Sequence, residues 1–286
     1  MPPTEADWTP SARQVERDAL RRRLRLRSGT IATVATVVVI GLLVLGVTSS
    51  PGWPRVKEFF FSWEDAKAAF PDVLKGFGKN VLLFLIAEPL ILLLGAAVAV
   101  VRSTTSAAMF PVRLLAVFYT DLFRGVPTIL VVVLAGFGIP ALQLQGVTTD
   151  TFWLGCGALV LSYGAYVAEV FRSGIDSIHP SQVASADALG LSHGQAMRYV
   201  VLPQATRRVV PPLLNDFVSL QKDTALLSSI FVFDALFTAQ DYASYNFNYT
   251  PIVVVAALFV ALTIPLARFT DWLGRRMMRR ERAGAR

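Results

Sequence analysis

Charged side chains sit inside apolar runs at several places in this 286-residue chain. Glu88 lies midway along the run 81–101 and is followed by Pro89, which can bend a helix there. Asp121 and Arg124 are spaced i, i+3, with Thr128 one turn further on. In a later run Asn215, Ser219 and Lys222 share one helical face, with Asp216 and Asp223 on the adjacent strip. A charge near the bilayer centre costs about 2.5–3.5 kcal/mol on insertion scales, so each must be paired or face water. Two accounts fit. In one, the charges neutralise each other, Asp121 with Arg124 and Lys222 with Asp223 or Glu88, and hold helices together. In the other, they line a water-filled cavity and meet a zwitterionic solute. An α-carboxylate needs a cation such as Arg124, and an α-amino group needs a carboxylate.

Other chemistry is thin. No Gly-x-x-x-x-Gly-Lys-Ser/Thr loop is present, and Gly76-Phe77-Gly78-Lys79 lacks the first glycine at the required distance. This chain should therefore not hydrolyse ATP itself. His179 and His193 lack metal-ligand spacing, and no nucleophile–base arrangement is seen. The single cysteine, Cys156, excludes an internal disulfide framework and reads as a small packing residue.

The elements that must carry these charges are membrane spans. The chain is 54% hydrophobic and only 16% charged, too apolar for a domain with a water-facing surface. Its net charge of +7 is no nucleic-acid signal, because the arginines flank apolar runs: Arg21, Arg22, Arg23, Arg25 and Arg27 at the start, Arg275, Arg276, Arg279, Arg280 and Arg282 at the end. Residues 1–29 read as a loosely ordered basic tail. Residues 30–47 are long enough to cross a bilayer; a cleaved signal peptide is the alternative, with Thr48-Ser49-Ser50 following, and the long tail favours an uncleaved anchor. Residues 48–79 should lie outside, with Trp53, Phe59, Phe60, Phe61 and Trp63 as an interfacial belt and Ser62 with Asp65 capping a short surface helix. Further spans are predicted at about 80–101, 113–137, 152–172, 209–236 and 251–270. Six crossings with a basic start put both termini in the cytoplasm. The outer loops near 138–151 and 237–250 contain Asp150 and Asp241 and no Lys or Arg, which agrees.

One segment between apolar runs itself reads as structured, Glu169 to Pro203. A first helix starts near Ser181 and ends at Gly190, a residue suited to a left-handed stop. A second starts at Ser192, with Gln195 at capping-box spacing, and ends at Val201 because Pro203 cannot continue it. Ala196, Met197, Val200 and Val201 make an apolar face, either packed on its own protein or docked into another.

This segment resembles the cytoplasmic coupling loop, the EAA loop, of membrane subunits of bacterial ABC importers. The family pattern is Glu-Ala-Ala, three residues, Gly, nine residues, an aliphatic residue, any residue, then Leu-Pro. Here it reads Ala184-Ser185-Ala186, Gly190, Val200 and Leu202-Pro203, with Ala184 in place of the Glu. Tyr166-Val167-Ala168-Glu169, Phe171-Arg172, Leu202-Pro203-Gln204-Ala205, Lys222-Asp223-Thr224 and Phe123-Arg124-Gly125-Val126-Pro127 resemble the polar amino acid uptake branch. The resemblance covers roughly residues 76–270.

It implies an all-α, polytopic membrane protein of about six transmembrane helices. Five helices, residues 80–272, would form a type I ABC importer domain with its coupling loop at 173–205. Residues 30–47 would be an extra helix and 273–286 a cytoplasmic basic tail. The implied function is the permease subunit of an ATP-driven importer for polar amino acids, working by alternating access in the bacterial inner membrane. The stretch 76–102 resembles permeases for acidic solutes such as glutamate. Two separate ATPase subunits would dock on Ser181, Ala184, Ser185, Ala186, Gly190, Met197, Val200, Leu202 and Pro203, and ATP with Mg would sit on them, with no cofactor in this chain. Other implied partners are a second permease copy or sister permease, an extracytoplasmic solute-binding protein and membrane lipid, with no nucleic acid. Glu88, Asp121, Arg124, Thr128, Asn215, Ser219, Lys222 and Asp223 are the candidate solute pathway. The competing reading is a self-sufficient, ion-coupled transporter with Glu88 or Asp223 as its proton site.

Overall fold

The computed structural model of the chain describes residues 11–104 and 106–284, and no strand occurs among them. Residues 1–10 and 285–286 of the two expected tails lie outside the described residues, as do the side chains of Arg279, Arg280 and Arg282. Two compact units divide near residue 58.

The first unit is dominated by α1, Ala12–Thr48, exposed along almost its whole length. The basic stretch expected to be loosely ordered is thus helical from Ala12 and runs straight into the apolar anchor. Its Ala, Arg, Leu, Gln and Glu residues are strong helix formers, and the last proline before it is Pro10. A short helix, α2, follows at Trp53–Phe60.

In the second unit Ser62 caps as expected, accepting from the Asp65 amide at 3.3 Å. The helix it starts is not short, however. α3 runs from Trp63 to Ser103, through Pro71 and Pro89. Most of the expected outer loop 48–79 is therefore helical.

The expected span at about 113–137 is broken. α4, Phe110–Gly125, and α5, Thr128–Val133, meet at Val126-Pro127, and the paths before and after differ by 105°. Pro127 supplies no amide and forces the preceding residue out of the helical region; Val126 is extended at φ −100°, ψ 130°. A widened turn at Leu134–Gly138 leads to a short α6, Ile139–Ala141.

α7, Thr151–Asp176, is the hub, packed against α3, α4, α5 and the later α10. Asp150 caps it, accepting from the Phe152 amide at 2.8 Å. Close approach of α3 to α7 depends on small residues: a Cβ on Gly164 would stand 2.8 Å from Leu94. Leu83, Ile91, Leu159, Val167, Leu220 and Leu227 form the buried centre.

The hairpin segment contains α8, Pro180–Ala188, and α9, His193–Ala196. α10 is Leu202–Asp223, followed by a tight turn of helix at Thr224–Ile230. α11, Ala235–Asn246, occupies most of the expected outer loop 237–250, and α12 is Thr250–Gly284. The expected span 209–236 is thus split between α10, the tight turn and the start of α11. By length and composition, among the described residues, four helices can cross a membrane, or five if the broken α4–α5 pair is one span. α10 does not qualify: Arg207, Arg208, Asp216, Lys222 and Asp223 make it too polar. Its faces are largely half-buried against other helices.

Near the middle of α3, Asn80 ties three elements together. Its side chain donates to Asp234 Oδ2 (3.1 Å) and Thr224 Oγ1 (3.3 Å) and accepts from the Ala235 amide (3.1 Å). All three side chains are buried, and paired polar groups of this kind fix geometry.

Candidate functional site

The hairpin between α7 and α10 is built by local chemistry. His179 caps α8, its Nδ1 accepting from the Ser181 amide at 3.2 Å, so the helix starts one residue before Ser181. At the other end Gly190 stands at φ +78°. Its amide donates to Asp187 O (2.9 Å), and the Leu191 amide donates to Ala186 O (3.1 Å). This pair of bonds is the Schellman arrangement, which needs a left-handed residue where Gly190 stands.

Ser192 and Gln195 form the expected reciprocal cap, with Ser192 N to Gln195 Oε1 at 2.8 Å and Gln195 N to Ser192 Oγ at 3.4 Å. The expected stop at Val201 is not found. A wide helical turn, Met197–Val201, carries the chain into α10, with Pro203 in its first turn. The wider turn relieves the clash of a proline ring with the carbonyl one turn back, and an amide is not needed there.

The apolar face read from Ala196, Met197, Val200 and Val201 is turned onto the protein itself. Ala196 is 1% exposed, and Val201 and Met197 pack with Ile175, Ile178, Val183 and Ala205. Ala186 is also buried and Val200 half-buried, so these residues hold the hairpin's shape. What faces outward is Ser181, Ala184, Ser185, Leu202 and Pro203, together with Leu189 at 82% exposure and Tyr199 at 63%. Leu189 and Tyr199 were missed in the sequence; an apolar residue directly before the turn glycine was the available signal for the first.

The intramembrane charges are not paired as sequence neighbours. Among the described residues no ion pair joins Asp121 to Arg124 or Lys222 to Asp223 or Glu88. Tyr163 of α7 donates to Asp223 Oδ2 at 2.7 Å. Phe84 and Phe217 meet edge to face at 4.7 Å, bringing α3 against α10. On α10, Asp216 Oδ2 is enclosed and has no hydrogen-bond partner among the described residues. Ser219 and Thr128 are half-buried, while Asn215, Lys222, Asp121 and Arg124 are exposed on the single chain.

Arg124 has a different acid from the one expected. Its guanidinium lies 3.6 Å from Glu169 of α7. Glu169 also accepts from Arg102 Nη1 at 2.9 Å and from Arg172 Nε at 3.1 Å, and Arg172 goes on to Asp176. Arg102 is fourteen residues beyond Glu88 on α3, about 21 Å along a helix axis. The expected pathway residues fall in two neighbouring groups, one around Glu88 and α10 and one around Arg124 and Glu169, joined by Tyr163, which holds Asp223, and by Tyr166 one turn on, which donates to the Arg124 carbonyl oxygen at 3.3 Å. Glu169, central to the second, was visible only as part of the Tyr166–Glu169 motif with Arg172 at i+3.

Comparison with known proteins agrees with this architecture. The family described as "Binding-protein-dependent transport system inner membrane component" matches residues 91–279, about two thirds of the chain. The arginine transport system permease protein ArtQ of Bacillus subtilis (strain 168) is 31% identical over 70% of this chain and 89% of its own length. The probable glutamine ABC transporter permease protein GlnM of the same strain is 32% identical over 73% of this chain and 94% of its own. A crystal structure of an amino acid ABC transporter with histidines superposes with a TM-score of 0.69 at 28% identity, covering 75% of this chain and 98% of that one. The chain belongs to the family of binding-protein-dependent transport system inner membrane components.

Proposed function

We propose that the chain is the permease subunit of an ATP-driven importer for polar amino acids, coupled to separate ATPase subunits through the hairpin at 180–201. The observation that carries the proposal is the hairpin's build. Capping, the Gly190 turn and an inward apolar face make it rigid, and it still presents Leu189 and Tyr199 outward. An exposed leucine and tyrosine on a rigid support suit insertion into a partner's groove.

Solute class rests on the relatives, whose names specify arginine and glutamine transport. Glutamate belongs to the same reading as a finer choice. Asn215, Lys222, Asp121 and Arg124, exposed on one chain, cannot face lipid without a cost of kilocalories each. They suit a water-filled cavity facing a second permease copy or a sister permease. Glu88 and α10 supply the groups a zwitterion needs, with Lys222 for the carboxylate and Glu88 for the ammonium. ATP and Mg would be held by the ATPase subunits, and solute would be delivered by an extracytoplasmic binding protein. Both termini and the hairpin would lie in the cytoplasm of a bacterial cell, with α10 crossing as a sixth, more polar span shielded by its neighbours.

The reading requires the hairpin on the ATP side. With single cysteines introduced, Ser192→Cys should react with an impermeant thiol reagent only from the cytoplasmic face, and Gln145→Cys only from the outer face. Reversed labelling contradicts the topology and removes the ATPase docking with it.

A further inference from the structure

We infer that Glu169 is a positioning residue that transmits movement of the hairpin to α3 and to the break between α4 and α5. The inference rests on the proposed role of the hairpin as the ATPase docking site.

The contacts define a clasp with one centre. The Glu169 carboxylate holds Arg102, in the last turn of α3, at 2.9 Å and lies 3.6 Å from Arg124, in the last turn of α4. On its own helix it holds Arg172, which in turn holds Asp176, the last residue of α7. Beyond that residue, Arg208 of α10 donates to the Ser177 carbonyl, three residues before α8 begins. The end of α7 that carries the hairpin is thus tied by charge to α3 and α4, and the residue after it is tied to α10 by a hydrogen bond to its carbonyl.

Two features make the centre more than a surface ion pair. The Arg102 and Glu169 side chains are 12% and 20% exposed, so water screens them incompletely. Three guanidiniums converge on this one carboxylate, and without it they repel each other. Arg124 also stands two residues before Val126, where α4 is released from helical geometry. A shift of α7 therefore pulls on the segment where the span is already broken, without needing to bend an intact helix. Neutralising Glu169 leaves the hairpin, its caps and its inward apolar face in place. It removes the charged ties from α7 to Arg102 and Arg124, so the ATPase would still dock and turn over while α3 and the α4–α5 break follow α7 poorly.

The experiment uses the complete complex in proteoliposomes and reads two rates together, ATP hydrolysis stimulated by loaded binding protein and labelled amino acid taken up. Glu169→Gln should assemble and hydrolyse ATP at near wild-type rates, with amino acid moved per ATP falling ~5- to 100-fold, the range of ordinary coupling energies. Arg102→Gln cuts the tie to α3 while Arg172 still neutralises the acid, and should lower the same ratio more mildly. An unchanged ratio in both variants overturns the inference. So does loss of the assembled complex in both, which would make the cluster a structural tie only. Failure of the wild-type chain to bring an ATPase with it would instead remove the underlying functional reading.

Discussion

Gly190→Val should leave the chain inserted in the membrane, with ATPase association and amino acid uptake reduced to background. The cause is conformational. Gly190 sits at φ +78°, and a β-branched residue there costs about 1–3 kcal/mol in the backbone alone. Space is not the obstacle, since a Cβ at Gly190 meets nothing within 4 Å. The cheaper outcome for valine is a rearranged turn, which breaks the bonds from Gly190 N to Asp187 O and from Leu191 N to Ala186 O. Leu189 and the second half of the hairpin then lose their relative placement. Gly190→Asn separates strain from bulk, because asparagine visits the left-handed region far more readily. It should retain most ATPase binding and uptake. Co-purification of ATPase with each variant, at matched amounts of chain, is the measurement. Equal ATPase recovery with valine and glycine contradicts the assignment of this turn.

Gly76→Ala should be among the most destabilising single-methyl changes in the protein. A Cβ there would stand 2.6 Å from the carbonyl carbon and oxygen of Asp234 and 2.7 Å from the Ala235 amide nitrogen. These are backbone atoms held by Asn80, so no side chain can swing away. Overpacking against fixed atoms costs about 3 kcal/mol, which corresponds to a thermal midpoint lower by roughly 6–12 °C. Gly78→Ala is the control. It lies two residues on in the same helix, meets nothing within 4 Å, and should leave the midpoint unchanged or raise it. Melting of the two variants in detergent, followed by intrinsic fluorescence, tests the pair. Equal midpoints would show that the contact between α3 and the 234–235 backbone does not form.

These two glycines mark what was legible in the sequence and what was not. Gly190 could be read because its signal is local, with capped helical stretches either side and a stop residue between. The Ser192–Gln195 cap and the Ser62–Asp65 cap were legible for the same reason, each being settled within four residues. Gly76 and Gly78 look alike in Gly76-Phe77-Gly78-Lys79, and only the arrival of residue 234 tells them apart. The charges follow the same division. Arg124 has Asp121 one turn away, and local spacing suggests that pair. Glu169 wins because α7 packs against α4, a fact that no short window contains. Asp223 goes to Tyr163 rather than to Lys222 for the same reason. Pro127 was visible, yet the apolar run on both sides of it masked the break. Hydropathy reports that a segment prefers lipid, not that it is straight. The face of Ala196, Met197, Val200 and Val201 was correctly seen as apolar, but periodicity does not say whether such a face turns inward or outward.

If this chain moves amino acids with energy from a partner's ATP, transport must depend on that partner and on no ion gradient. The most direct test reconstitutes the complex purified from native membranes into proteoliposomes, with labelled amino acid and loaded binding protein on the outer side of the permease. Uptake should require ATP on the hairpin side, should stop when the ATPase subunits are stripped away, and should persist when proton and sodium gradients are collapsed. Uptake by the chain without ATPase subunits, driven by an imposed ion gradient and abolished by Glu88→Gln or Asp223→Asn, would contradict it.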